Sequence, residues 1–308
     1  MRHESQPPAL PRQNGKTIIV TGASAGLGYF ASEQLAAAGA TVVMAARDEA
    51  RGRAAMEAVR TTVPGADVRF QQLDLANLNS VRRAVDDLAG LGRIDALLAN
   101  AGVIGSQNLQ FTVDGFELQF GTNHLGHFAL IAGLMPALAL SRSRVVHVGS
   151  ISHRWARPDF RRAAVPAKYS SYRSYALSKL AVMSFGFELA HRLEAAGSKA
   201  SSVVAHPGYA RKYFTPDRPG LQLSQPVSSW QRLLFGLVAQ GKDAGAWPLV
   251  QAAAGDGVRN GDYWGPDGRF QLTGNPAVVA PKRNALERNA ASRLIDLSEE
   301  LTGVRLRL

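Results

Sequence analysis

The chain has 308 residues, 46% of them hydrophobic, which is enough apolar material for one large α/β core. It contains no cysteine, which excludes disulfides, thiolate metal sites and cysteine nucleophiles. Its net charge of +11 invites a nucleic-acid or anionic-membrane reading, yet the charges gather only at Arg154, Arg157, Arg161, Arg162, Lys168 and Arg173, with no zinc or helix-turn-helix motif beside them. A solvated basic surface with no nucleic-acid partner is expected.

Residues 1–14 are polar, carry Pro7, Pro8 and Pro11, and lack the apolar core of a secretory signal. They read as a disordered tail, with the cytoplasm as the default compartment. Residues 15–308 read as one domain. Thr17 to Thr21 is a short β-branched run followed directly by Gly22-Ala23-Ser24-Ala25-Gly26-Leu27-Gly28 and an alanine-rich amphipathic stretch, the pattern of strand, glycine turn and helix. Free amides and the positive dipole end at such a helix start suit a pyrophosphate. A glycine-rich loop that merely packs helix on strand is the plainer alternative.

Strands are expected at residues 41–46, 67–72, 96–99, 144–149 and 201–205, with a short seventh at 262–264. Helical patterns separate most of them, which is βαβ repetition and hence a doubly wound parallel sheet of Rossmann type. A long helix is expected over residues 114–140, kinked or ended near Pro136, and another around Tyr175 running to about Ala195. The longest apolar run, residues 128–140, is too short to cross a bilayer, so no integral membrane segment is expected. Residues 209–255, rich in Pro, Gly and aromatics, are expected to form a helical substrate lid.

Ligands of such a sheet sit beyond the carboxyl ends of its strands. The glycine turn, Arg47, Asn100-Ala101-Gly102, Ser150 and Pro207-Gly208 all fall there, near the start of the Tyr175 helix. On that helix Tyr175 and Lys179 share one face, a turn apart. A nearby cation favours the phenolate and lowers the tyrosine pKa from its usual ~10, which makes the pair suited to acid-base work. His124 and His127 lie three apart with no carboxylate to complete a ligand set, so no metal is expected.

Together the glycine turn, Asn100-Ala101-Gly102, Ser150, Tyr175-x-x-x-Lys179 and Pro207-Gly208 resemble the classical short-chain dehydrogenase/reductase family, over roughly residues 15–208. Asp114-Gly115-Phe116-Glu117 and the segment from Thr122 to Phe128 are similar to the retinol-dehydrogenase-like group. The resemblance implies that Tyr175 is the general acid/base, that Lys179 lowers its pKa and bonds the nicotinamide ribose, that Ser150 holds the substrate oxygen, and that Asn123 orders a water and the lysine in a proton relay. Taken singly, Ser150 reads equally as a strand-end turn serine and Asn123 as a satisfied helix amide. The same resemblance implies a cofactor bound by Gly22, Ser24, Ala25, Gly26, Leu27, Gly28, Asp74, Leu75, Asn100, Ala101, Gly102, Tyr175, Lys179, Pro207 and Gly208. Asp74 reads equally as a helix cap.

Arg47 follows the second strand, where a guanidinium can grip a ribose 2′-phosphate, so NADP is favoured over NAD. Asp48 would reverse that choice if the strand ran further. Where the family commonly places a Thr after Pro-Gly that bonds the nicotinamide amide, this chain has Lys212, so either the amide is held by backbone and other groups or Lys212 takes a phosphate instead. In the expected lid, Tyr213, Phe214, Leu221, Trp230, Leu233, Leu234 and Phe235 suggest an apolar pocket for a hydrophobic ketone, aldehyde or alcohol, although residues 230–238 read equally as an ordinary packed helix. Family habit implies a homodimer or homotetramer. The alternative function is a redox-silent cofactor-binding sensor on the same fold.

Overall fold

The computed structural model describes residues 9–226, 228, 235 and 238–308. Eight strands form one sheet in the order β3-β2-β1-β4-β5-β6-β7-β8. They are β1 Thr17–Thr21, β2 Thr41–Ala46, β3 Val68–Gln72, β4 Ala96–Ala99, β5 Arg144–Val148, β6 Ser201–Ala205, β7 Tyr263–Pro266 and β8 Pro276–Val278. The first seven are parallel and β8 pairs antiparallel with β7. The Rossmann-type sheet is thus as expected, with one short edge strand added that its three residues do not betray.

Alternation along each strand feeds two cores, because successive side chains point to opposite faces. Ile18 and Val20 join Val42 and Met44 on one face, packed under α1 Gly26–Ala37, α2 Glu49–Thr62 and α7 Trp247–Ala254. Ile19, Val43 and Leu97 face the other side, against α3 Leu78–Ala89, α4 Leu118–Leu140, α5 Ser171–Ala195 and α8 Arg288–Thr302. A four-residue helix, α6 Lys242–Gly245, precedes α7. Each wholly buried aliphatic or aromatic side chain contributes about 1.5–3 kcal/mol by leaving water.

Helix α4 begins at Leu118, four residues later than expected, because Phe111 and Glu117 form an isolated bridge and Thr112 accepts from Phe116 in a turn before it. Pro136 stands inside α4 without ending it. By length and composition α4 could cross a membrane, and 72% of its most apolar stretch is buried in this fold. The fold also starts before Gly15. Leu10 packs against the core beneath α1, and the buried Gln13 donates to the Ala254 carbonyl at 3.1 Å, so residues 9–14 are not the free tail the composition suggests.

Candidate functional site

The turn after β1 is shaped by Gly22 and Gly26, with φ +68° and +58°, a region side chains disfavour. Helix α1 starts without a side-chain cap and without an acidic residue in its first turn, whereas Asp48 caps α2 and Asn77 caps α3. The first amides of α1 are therefore left for a ligand. Gly28, expected at the cofactor, also has a packing reason to be glycine, since a Cβ there would strike the Gly22 carbonyl oxygen and stand 2.5 Å from Asn100 Nδ2. It lets α1 lie against the loops after β1 and β4. Those two loops are tied together by Asn100 Nδ2 donating to Thr21 O at 2.8 Å and Ala101 N donating to Thr21 Oγ1 at 2.9 Å.

A cavity of about 420 Å³ opens at this edge. Gly22, Ser24, Ala25, Gly26 and Leu27 line it on the α1 side, Arg47, Asp74 and Leu75 at the β2 and β3 exits, and Asn100, Ala101 and Gly102 at the β4 exit. Strand β2 stops at Ala46, so Arg47 is the first residue beyond it. Asp48 Oδ1 accepts from Arg51 N at 2.9 Å and is committed to capping α2, which removes it from the reading position. Asp74 Oδ1 accepts from Ala76 N at 3.0 Å in a local turn. Sequence reasoning missed Thr122, Val103 and Lys242 in this wall, while Lys212, which it offered as one possible phosphate ligand, is part of it; Lys212 and Lys242 come from far along the chain.

Ser150, at the exit of β5, caps the short helix Ile151–Trp155 by accepting from Ser152 N at 3.2 Å and from Ser152 Oγ at 3.0 Å, and its hydroxyl lies close enough to Tyr175 to favour the phenolate. Lys179 Nζ donates to Val148 O at 2.8 Å, on the same strand exit. A Cβ on Gly102 would lie 3.3 Å from Asn123 Oδ1 and 3.4 Å from Lys179 Nζ, so Gly102, Asn123 and Lys179 meet at one point of the cavity wall.

The proton chemistry departs from expectation. Burial pushes the Tyr175 phenol above its usual pKa, opposed by the neighbouring Ser150 hydroxyl, rather than the lysine pulling it down. Burial likewise lowers Lys179 to about 8.

Asn123 sits in a π-helical turn, Gly121–Leu125, of the kind that often marks functional positions. Its Oδ1 accepts from Val103 N at 2.7 Å, while its Nδ2 donates to Val103 O and Ser178 Oγ at 3.1 and 3.0 Å. Among the described residues its side chain makes no hydrogen bond to Lys179; it holds the Val103 backbone instead. His124 meets Ser298 Oγ at 2.8 Å and His127 meets Thr21 Oγ1 at 2.9 Å, so both are buried packing histidines.

Gly208 has φ +63° and a Cβ there would strike the Leu272 carbonyl oxygen; Pro207 O accepts from Gln240 Nε2 at 3.0 Å. Of the expected lid, Leu221 packs on the core beneath α1, and the Tyr213 ring lies 5.3 Å from the Arg211 guanidinium. Trp230, Leu233 and Leu234 lie outside the described residues. Near Ser150 and Tyr175 in sequence, the Trp155 and Tyr172 rings lie 6.3 Å apart at a tilt of 51° and are 65% and 57% exposed.

The family model for short chain dehydrogenases matches residues 16–211. A polyprenol dehydrogenase of Mus musculus is 36% identical over 98% of this chain and 88% of its own length. Retinol dehydrogenase 13 of Homo sapiens is 34% identical over 94% and 85%. A crystal structure of an uncharacterised protein from Mycobacterium paratuberculosis superposes with a TM-score of 0.79 at 36% identity, covering 99% of both chains.

Proposed function

The chain belongs to the short chain dehydrogenase family, in its retinol-dehydrogenase-like group, and is an oxidoreductase acting on CH–OH groups; we propose that it uses NADP to interconvert a hydrophobic alcohol and its ketone or aldehyde. One observation carries the reading: Lys179, one helical turn beyond Tyr175 and bonded to Val148 O two residues before Ser150, comes within 3.4 Å of a Cβ built on Gly102, a residue of the glycine-turn cavity whose β2 exit is Arg47.

The residues fit a dinucleotide. The uncapped start of α1 and the positive-φ glycines suit the pyrophosphate, Arg47 the 2′-phosphate, and Gly102 with Lys179 the nicotinamide end. When bound, that cofactor supplies or takes the hydride. Tyr175 Oη gives a proton to the substrate oxygen during reduction and takes it back during oxidation. Ser150 Oγ holds and polarises the same oxygen. Lys179 brings positive charge to the site and, through its bond to Val148 O, is fixed relative to the exit of β5. Asn123 positions the wall by clasping Val103.

The substrate class is supported by the exposed Trp155 and Tyr172, near Ser150 and Tyr175 in sequence, and by relatives that are named for polyprenol and retinol. A redox-silent sensor would leave the Ser150–Tyr175 pair with no proton to move.

The test is NADPH oxidation against a panel of apolar carbonyl compounds. Tyr175→Phe is expected to lower kcat by about 10²–10⁴-fold with cofactor affinity retained. Arg47→Ala is expected to weaken NADPH about tenfold while sparing NADH. Equal affinity of the unmutated protein for both coenzymes would refute NADP, and turnover of small polar sugars alone would refute the hydrophobic substrate.

A further inference from the structure

We propose that Lys212 and Lys242 form an ammonium clamp on the pyrophosphate of the cofactor, a pair of cations sharing the glycine-turn cavity. The inference rests on the dinucleotide reading above but not on the choice of NADP. Both lysines line the cavity that contains Gly22 to Leu27. Lys242 is held there by packing of α6 on α1: Gln34 Nε2 donates to Asp243 O at 2.9 Å, and a Cβ on Gly245 would lie 3.1 Å from Leu27 Cδ2.

The two lysine segments are also tied to each other. Lys242 N donates to Thr215 Oγ1 at 3.0 Å, Thr215 N donates to Lys212 O at 3.1 Å, and Arg211 N donates to Gln240 O at 2.8 Å. These bonds fix the backbones of the two lysines relative to each other, which lowers the ordering cost of bringing both to one anion.

The charges around them are unbalanced. Among the described residues neither lysine forms an ion pair, and Glu33, the carboxylate of neighbouring α1, is taken by Arg218. Asp74, the one carboxylate of the cavity wall, accepts from Ala76 N, and Asp243 on α6 itself is pushed toward its neutral form by burial. Burial, with Arg211 and Lys212 adding repulsion, lowers Lys242 to about 8. A phosphoryl group would relieve that repulsion, so anion binding and protonation of Lys242 reinforce each other. Affinity is therefore full below about pH 8 and weakens as pH rises through that value. Lys179, across the site and also near 8, titrates in the same range.

The experiment is a calorimetric titration of the full chain with NADH, NADPH and adenosine, with melting temperatures recorded beside it. Lys242→Met and the exposed Lys212→Thr are expected to weaken NADH and NADPH by the same factor, about tenfold, and to leave adenosine unchanged. Lys242→Met should melt no lower than the unmutated protein, because it removes a partly buried charge repelled by Arg211 and Lys212. Lys242→Arg should bind normally at pH 7 and show a flatter decline with NADH above pH 8; the difference between the two profiles isolates Lys242, since Lys179 is present in both. Unchanged affinity in both neutral variants would overturn the clamp, and so would a loss confined to NADPH, which would move the lysines to the 2′-phosphate. Failure of the unmutated protein to bind either coenzyme would instead overturn the dinucleotide reading itself.

Discussion

The part of the chain up to β6 and the part after Pro207 build the same site by different means. In the first, Gly22, Arg47, Asn100 and Ser150 each follow a strand of a parallel sheet, and strand register alone brings them to one edge. In the second, placement depends on single side chains crossing long stretches of sequence. Arg218 binds Glu33 of α1 through two nitrogens at 2.6 and 2.7 Å and lies 4.9 Å over the Phe30 ring. Gln240 reaches Pro207 O, Arg154 reaches Gln271 Oε1, and Asn284 reaches the carbonyls of His153 and Ala156. The comparison teaches that the first part is set by sheet geometry, whereas the second is fastened by a few polar contacts.

Acid should strike the sheet half first. His124, His147 and His206 are lowered to about 3 and His127 to about 4 by burial. Their folded pKa values lie below the unfolded value near 6.5, so below pH 6.5 the unfolded chain takes up protons that the folded one refuses. Stability held at pH 7 is therefore lost as pH falls, on the order of 1 kcal/mol per histidine per pH unit. Urea unfolding midpoints between pH 7 and pH 5 measure this, and a flat profile would contradict the buried neutral imidazoles.

The fastening of the second half is tested by Arg218→Ala. It leaves the Glu33 carboxylate, only 10% exposed, with Tyr29 Oη as its remaining side-chain donor, and about 3 kcal/mol of stability should be lost. The acid slope should persist in this variant, because the histidines lie elsewhere; a slope that vanished with Arg218 would show the two halves to be one unit.

A smaller effect separates packing from ligand contact within the glycine turn. Gly28→Ala should cost about 2 kcal/mol by overpacking, seen as a lower melting temperature. Gly26→Ala should cost about 1 kcal/mol, since only its φ of +58° resists and no atom lies within 4 Å of the new methyl. Equal losses at the two positions would refute the distinction.

Much of the first half was legible in the chain. The bounds of β1, β2, β4 and β6 follow short, mostly apolar runs, closed at β1 by Gly22 and at β4 by Asn100, and the glycine turn and the Tyr175–Lys179 spacing are local patterns. What local pattern cannot show is the dielectric around a group. Tyr175 is raised and Lys179 lowered because packing removes water from both, although their four-residue spacing suggests only mutual attraction. Asn123 was found by its motif, but the π-helical turn that aims it at Val103 depends on α4 lying against β4's exit loop.

Sequence by itself determined the parallel sheet, the glycine turn, the basic residue after β2 and the Tyr175–Lys179 spacing on one helix, since each is written in the period or spacing of neighbouring residues. Tertiary structure alone decided that Asp48 caps a helix, that Gly28 is a packing position and that Lys242 joins a cavity with a turn more than two hundred residues earlier. The physical reason is range: hydrophobic periodicity acts over one element, whereas burial and electrostatic neighbourhood are set only when distant elements come together.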